Sequence, residues 1–269
     1  MIALGVVFAF WLLPRLRKAV DTTESDRVMA DRQIRVASKF KSPTEGEALA
    51  LVKQALALRN PDEVQHLFRT GPTTAQDVVA YMNAINTVDG VIKDYVWLSS
   101  IDKNGLSLEG VQVNFVAKDQ PRNRLAILTP DEKGVWKLDF AAFARSVQPA
   151  WPDLLERKAE SGLVRVYVSK DNYYNGPFRD ERKWAAYRLA SPDIDEILIG
   201  YCRLDTPQHL AMKSLWERGE IAVVRATLEI RRPQDTGDAV RVETRQFEIS
   251  RVLAEDWVLA DKPLDERVR

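Results

Sequence analysis

Met1 to Leu13 (MIALGVVFAFWLL) is an uncharged apolar run whose only hydrogen-bonding side chain is the Trp11 indole, and Pro14, Arg15, Arg17 and Lys18 follow it. As a helix, thirteen residues cover about 20 Å, less than the hydrocarbon core of about 30 Å. The run lacks the basic start and small-residue cleavage site of a signal peptide. Three readings fit it: an anchor continuing upstream of Met1, a short interfacial anchor with Trp11 at the headgroups, or a buried helix of the fold. Residues 1–20 are read as a membrane anchor. The basic residues after the run put the following chain on the cytoplasmic side, unless basic residues also precede it. Residues 21–41 are polar and mixed in charge, as expected of a helical stalk or linker.

Charge balance then limits the partners. Lys+Arg and Asp+Glu both total 39. The balance is also local, with 16 basic and 17 acidic residues in 21–150 and 20 and 22 in 151–269. Neither part has the basic excess of a duplex-binding domain, so nucleic acid is a poor expectation. Cys202 is the one cysteine, which rules out an intrachain disulfide. His66 and His209 are the only histidines, too few for a Cys/His zinc site. Phosphate-loop, dinucleotide, zinc-protease and nucleophile-elbow motifs are absent. The sequence therefore assigns no catalytic, cofactor-binding or metal residue, and an enzyme is the less favoured expectation.

Residues 42–148 open with helices. Ser42-Pro43-Thr44-Glu45 reads as a capping box with proline at the first helical position, and Asn60-Pro61-Asp62-Glu63 repeats that start signal. Leu49, Val52 and Leu56 recur at helical spacing. Thr73 or Thr74 caps a third helix that carries Val78, Met82 and Ile85. After Gly90 the pattern changes to strands: Val91–Ile101, Leu106–Ala117, Arg124–Leu128 and Val135–Phe140. A parity flip at Glu109-Gly110 predicts a bulge in the second of them.

Helices followed by a curved antiparallel meander resemble the cystatin-like α+β roll of nuclear-transport-factor and ketosteroid-isomerase-like proteins. The resemblance rests on element order over residues 42–148. It implies a sheet wrapped around the helices and a conical pocket, which serves catalysis in some members and protein contact in others. An enzyme of that kind places an acid or base in the pocket, where burial tunes it. Tyr81, Asp89, Asp94 and Tyr95 are the loosely suitable residues, and His66 lies on the second helix.

Residues 149–262 begin at the break Pro149-Ala150-Trp151-Pro152. Three strands (Leu163–Tyr173, Trp184–Leu189, Glu196–Leu204), a helix from Thr206-Pro207 to Gly219 and two strands (Ile221–Arg231, Arg241–Leu259) follow. That order resembles an OB-type barrel. A second cystatin-like roll is the alternative, supported only by similar closing strands at Trp136 and Trp257. The aromatic stretch Asp171–Phe178 is the most distinctive local feature. Single-strand binding would use Tyr167, Tyr173, Tyr174, Trp184, Tyr187 and Tyr201 with Arg165, Arg179, Arg182 and Arg188. Asp171, Asp180 and Glu181 interrupt that charge, and core packing explains the same aromatics. Residues 263–269 read as a polar tail.

The whole pattern (apolar start, WKLDF, the Trp-Pro break, VRVYV with KDNYYN) is similar to uncharacterised membrane-anchored proteins of environmental bacteria. That resemblance implies a single-pass anchor in a bacterial cell membrane, with the rest of the chain outside the cytoplasm. The function expected is a membrane-tethered, non-enzymatic interaction or assembly module with a protein partner. The alternative is a small-molecule binder or isomerase-like enzyme using a pocket in the first domain.

Overall fold

The computed structural model describes residues 40–103, 106–117, 120–217, 221–233 and 243–268. The expected anchor and almost all of the expected stalk lie outside them. Among the described residues, no helix is long and apolar enough to cross a membrane. The fold is α+β, with a mixed sheet in one part and a closed five-stranded barrel in the other. Two compact units divide between Ser146 and Val147.

The first unit opens with α1 (Glu45–Ala57), which starts two residues later than the expected box of Ser42 and Glu45, at a reciprocal capping box of Thr44 and Glu47. The Thr44 side chain accepts from the Glu47 N–H, and the Glu47 carboxylate accepts from the Thr44 N–H at 2.7 Å. A 3-10 turn at Pro61–Glu63 runs into the short α2 (Val64–Leu67), and α3 (Ala75–Val88) is capped by Thr74. The sheet comprises β1 (Phe68–Arg69), β2 (Val91–Lys103), β3 (Leu106–Ala117), β4 (Gln120–Pro130) and β5 (Trp136–Asp139). Its order is β1-β5-β4-β3-β2, with only the β1–β5 pair parallel. A short α4 (Phe140–Phe143) follows, capped by Asp139.

The predicted second helix through Phe68 is shorter than its pattern suggests, because Phe68 leaves it to pair with Leu138. The predicted bulge in β3 is not there. The two irregularities lie on β2, where Lys93 and Leu98 are the extra residues, and β3 pairs regularly with β4 from Glu109 to Ala117. Glu109 therefore shares a face with Val111, Val113 and Phe115. That face packs on Val52 and Met82 of the helices. At the opposite end, Gly90 has φ +94°, and a Cβ there would lie 2.2 Å from the Val116 carbonyl oxygen. Only glycine permits so close a turn from α3 into β2.

The second unit opens with α5 (Trp151–Leu155). Strands β6 (Ser161–Asp171), β7 (Trp184–Ala190) and β8 (Leu198–Arg203) form an antiparallel meander. Helix α6 (Pro207–Ser214), capped by Thr206, leads to β9 (Val224–Arg231) and β10 (Gln246–Glu255). β10 runs parallel to β8 and antiparallel to β9, and β9 closes on β6. Two irregularities bend β10, at Ser250 and Leu253, as a small closed barrel requires. Inside, a Cβ at Gly200 would come within 3.0 Å of Leu189 and Ile249 side chains, so glycine makes room for both. Leu198, Phe247, Val252 and Leu228 fill the rest of the interior. The expected polar tail contains α7 (Leu264–Arg267), whose Leu264 and Asp265 are buried.

Candidate functional site

The residues singled out in the first unit do not converge on one pocket. Tyr81 and Asp89 do come together, around Arg124. The Arg124 guanidinium donates to both Asp89 carboxylate oxygens and to the Phe143 carbonyl, and lies 5.6 Å from the centre of the Tyr81 ring. Tyr81 meets Phe140 edge-on at 5.3 Å. This arrangement pins α4 and the end of α3 to β4, and its acid and base neutralise each other. Asp94 accepts from the Asn114 side chain across the β2–β3 pair. Tyr95 packs against the core with Lys53 Nζ 5.3 Å from its ring centre, and burial raises its hydroxyl pKa. His66 is exposed on α2.

The residue that sequence reading missed is Glu109. It has no solvent exposure, and it faces the helices beside Val111. The Trp97 indole N–H donates to its Oε2 at 3.1 Å. Its Oε1 has no hydrogen-bond partner among the described residues. Leaving a buried acceptor unmatched costs about 1–3 kcal/mol, and the other buried acids avoid that cost. Asp89 holds Arg124, Asp139 accepts from the Ala142 N–H at 2.8 Å, Asp256 holds Arg225, and Asp265 holds Arg251 and the Val252 N–H.

Glu109 stands directly opposite Ser100 on β2 and Leu128 on β4, which puts all three side chains on one face. The Ser100 hydroxyl lies 3.0 Å from that of Ser42. Ser42 belongs to a segment that crosses this end of the sheet. In it, the Lys41 carbonyl accepts from the Trp136 indole at 3.1 Å, and the Phe40 ring lies against Gly134. Ser42 and Ser100 thus bring two hydroxyls to the strand pair that carries Glu109.

In the barrel, the aromatic stretch folds back on its own strands. Trp184, Ala186, Ile199 and Tyr201 face outward from β7 and β8, and Tyr174 and Phe178 cover them. Phe178 stacks on Tyr201 at 4.0 Å with 9° between the rings, and meets Trp184 edge-on at 4.9 Å. The Tyr201 hydroxyl donates to the Tyr173 carbonyl at 3.0 Å and accepts from Gln246 at 3.1 Å, and burial pushes its pKa up to about 12. Tyr173 donates to Glu243 at 3.0 Å, which fastens the loop. Tyr167 packs edge-on against Trp257, and Tyr187 stacks on Trp216.

Three of the four arginines named for a nucleic-acid groove have other partners. Arg165 donates to the Trp257 carbonyl, Arg182 to Asp180 and Arg188 to Asp171. Cys202 points into the barrel interior, where burial pushes its thiol up to about 12 and so disfavours the thiolate. Burial, then Lys213, lowers the pKa of His209. Among the described residues, no group of three or more His, Cys, Asp or Glu is placed to hold a metal ion. No protein-family model, curated protein or solved structure matches the chain.

Proposed function

We propose that the protein is a membrane-tethered, non-enzymatic interaction module. In this reading its first unit is a cystatin-like roll and its second an OB-type barrel. The roll is supported by three helical segments followed by a bent meander that ends beside a short parallel strand. The barrel is supported by the ring order first-second-third-fifth-fourth, with a helix between the third and fourth strands. The tether rests on residues 1–20 and on the resemblance to membrane-anchored bacterial proteins. That resemblance also carries the placement outside the cytoplasm, against the pull of Arg15, Arg17 and Lys18.

One observation carries the interaction reading. Val88, Val91 and Val116 lie together at one corner of the first unit, and Val91 is 70% exposed. Val91 and Val116 are directly paired across β2 and β3. The close turn at Gly90 brings the end of α3 beside them. An apolar corner of this kind is a place for a protein partner to dock. Lys93 and the irregularity it causes blunt the β2 edge against strand pairing, so the corner, rather than the edge, is the docking surface. Cross-linking in membranes, followed by capture of the full chain, should recover a stoichiometric partner that is lost in Val91→Lys. An intact, abundant protein that captures nothing would remove this reading.

A second reading, a small-molecule pocket in the first unit, is favoured by the unmatched Glu109 oxygen. The aromatic face that an OB-type barrel offers to single strands is covered by Tyr174 and Phe178, which argues against nucleic acid.

A further inference from the structure

We infer that Glu109, Ser100 and Ser42 form a binding site for a small primary amine in its ammonium form, which enters beneath the segment Phe40–Thr44. The inference rests on the second reading above and names its ligand. Three observations point the same way. Glu109 Oε1 is a buried acceptor without a donor among the described residues. Ser100 is its directly opposite neighbour, and Ser42 brings a further hydroxyl 3.0 Å from that of Ser100. An ammonium group carries three N–H donors and no acceptor. Three oxygens converging from two strands and a crossing segment match that donor set, and a carboxyl acceptor strengthens the bonds. Leu128 and Leu138, next along the same row of side chains, offer an apolar wall for a short alkyl body.

The roles of the surrounding residues follow from their contacts. The Trp97 indole occupies Oε2 and leaves Oε1 for the ligand. The extra residue Leu98 in β2 resets the strand register between Trp97 and Ser100, which lets both face the helices with Glu109 between them. The segment over the site is held by the Trp136–Lys41 bond, the Ser42–Ser100 contact and the packing of Phe40 on Gly134. The path proposed for the ligand runs under this segment, which would have to open to admit it.

The test uses the full chain with n-butylammonium chloride as probe and n-butanol as its neutral counterpart, with binding read by ligand-observed NMR at constant ionic strength. The wild-type chain should bind the ammonium probe at least tenfold more tightly than the alcohol. Glu109→Gln should lose that preference, and Ser100→Ala should weaken ammonium binding several-fold while keeping the far-ultraviolet circular dichroism of the wild type. Equal binding of both probes, or ammonium binding unchanged in Glu109→Gln, overturns the assignment. Binding of the alcohol alone overturns the ammonium chemistry and leaves the pocket reading standing. Binding of neither probe overturns both.

Discussion

Both units bury acids, yet they satisfy them to different degrees. In the barrel, Asp256 receives two bonds from Arg225, at 3.0 and 2.7 Å, and Asp265 receives Arg251 together with the Val252 N–H. Its aromatic loop likewise ties Tyr201 to the Tyr173 carbonyl and Tyr173 to Glu243. The first unit closes Asp89 and Asp139 in the same way, but leaves one Glu109 oxygen unmatched and three valines in solvent at another corner. A fold that matches its other buried acids and leaves one open has spent stability at that place. Such a departure from local consistency is what a functional position looks like. The contrast is one of buried acids alone, since Thr227, Arg232, Gln246 and Arg267 of the second unit also keep a buried side-chain atom without a partner among the described residues.

The largest effect that tests this contrast is in the barrel. Asp256→Ala strands the Arg225 guanidinium beside the Trp257 ring and should cost about 3–5 kcal/mol, measured by chemical denaturation. A loss below about 1 kcal/mol would mean that the pair behaves as a surface ion pair and the barrel is not held as argued. Phe178→Ala comes next. It removes the ring stacked on Tyr201 and uncovers Trp184, with an expected loss of about 3 kcal/mol. The same variant asks whether the covered face is latent. If uncovering it produces salt-dependent binding of single-stranded oligonucleotides, the loop is a cover over a binding face rather than part of the packing.

In the first unit the sign reverses. Glu109→Met replaces an incompletely bonded acid with an apolar side chain of similar length, and should raise stability by about 1 kcal/mol. The gain is small because the Trp97 indole loses its acceptor. A marked loss instead would mean that Glu109 is structural like Asp256, and the contrast between the units would disappear.

Much of this architecture was legible in the sequence. The proline-started turn at Asn60 and the run of three strands, a helix and two strands in the barrel follow from local chemistry, whereas the capping box belongs to Thr44 and Glu47 and not, as the pattern suggests, to Ser42 and Glu45. What the sequence could not display was tertiary. The strand pairing of Phe68 with Leu138 depends on a partner seventy positions away, so two residues at a helix end gave no strand signal. Glu109 was hidden for a subtler reason. Beside Gly110 it read only as part of a bulge in β3. The extra residues belong to β2 instead, and a regular β3 carries Glu109 inward. The aromatic stretch was visible as such, but the 4.0 Å stack of Phe178 on Tyr201 depends on the loop folding back across β8. The only hint of a filled role was the alternation of Asp171, Asp180 and Glu181 with the arginines that they neutralise.

The smallest effect concerns the rim of the first unit, where Thr44 ends the segment that crosses Glu109. Thr44→Ala removes the side-chain cap of α1 and should cost about 1 kcal/mol at neutral pH. The pH dependence isolates the other half of the box. The Thr44 backbone N–H, then its hydroxyl, hold the Glu47 pKa below its ordinary value of 4.5. A carboxyl group depressed in the folded state contributes stability that is present above its unfolded pKa. That contribution is lost as pH falls through the folded value. Stability of the wild type should therefore decline as pH falls below 4.5, and Glu47→Gln should flatten part of that decline. Thr44→Ala should flatten it less, because the backbone N–H that contributes most to the shift remains. If the box also keeps residues 40–44 in place over Glu109, Thr44→Ala will speed ligand exchange at that end of the sheet, and the barrel variants will leave it unchanged.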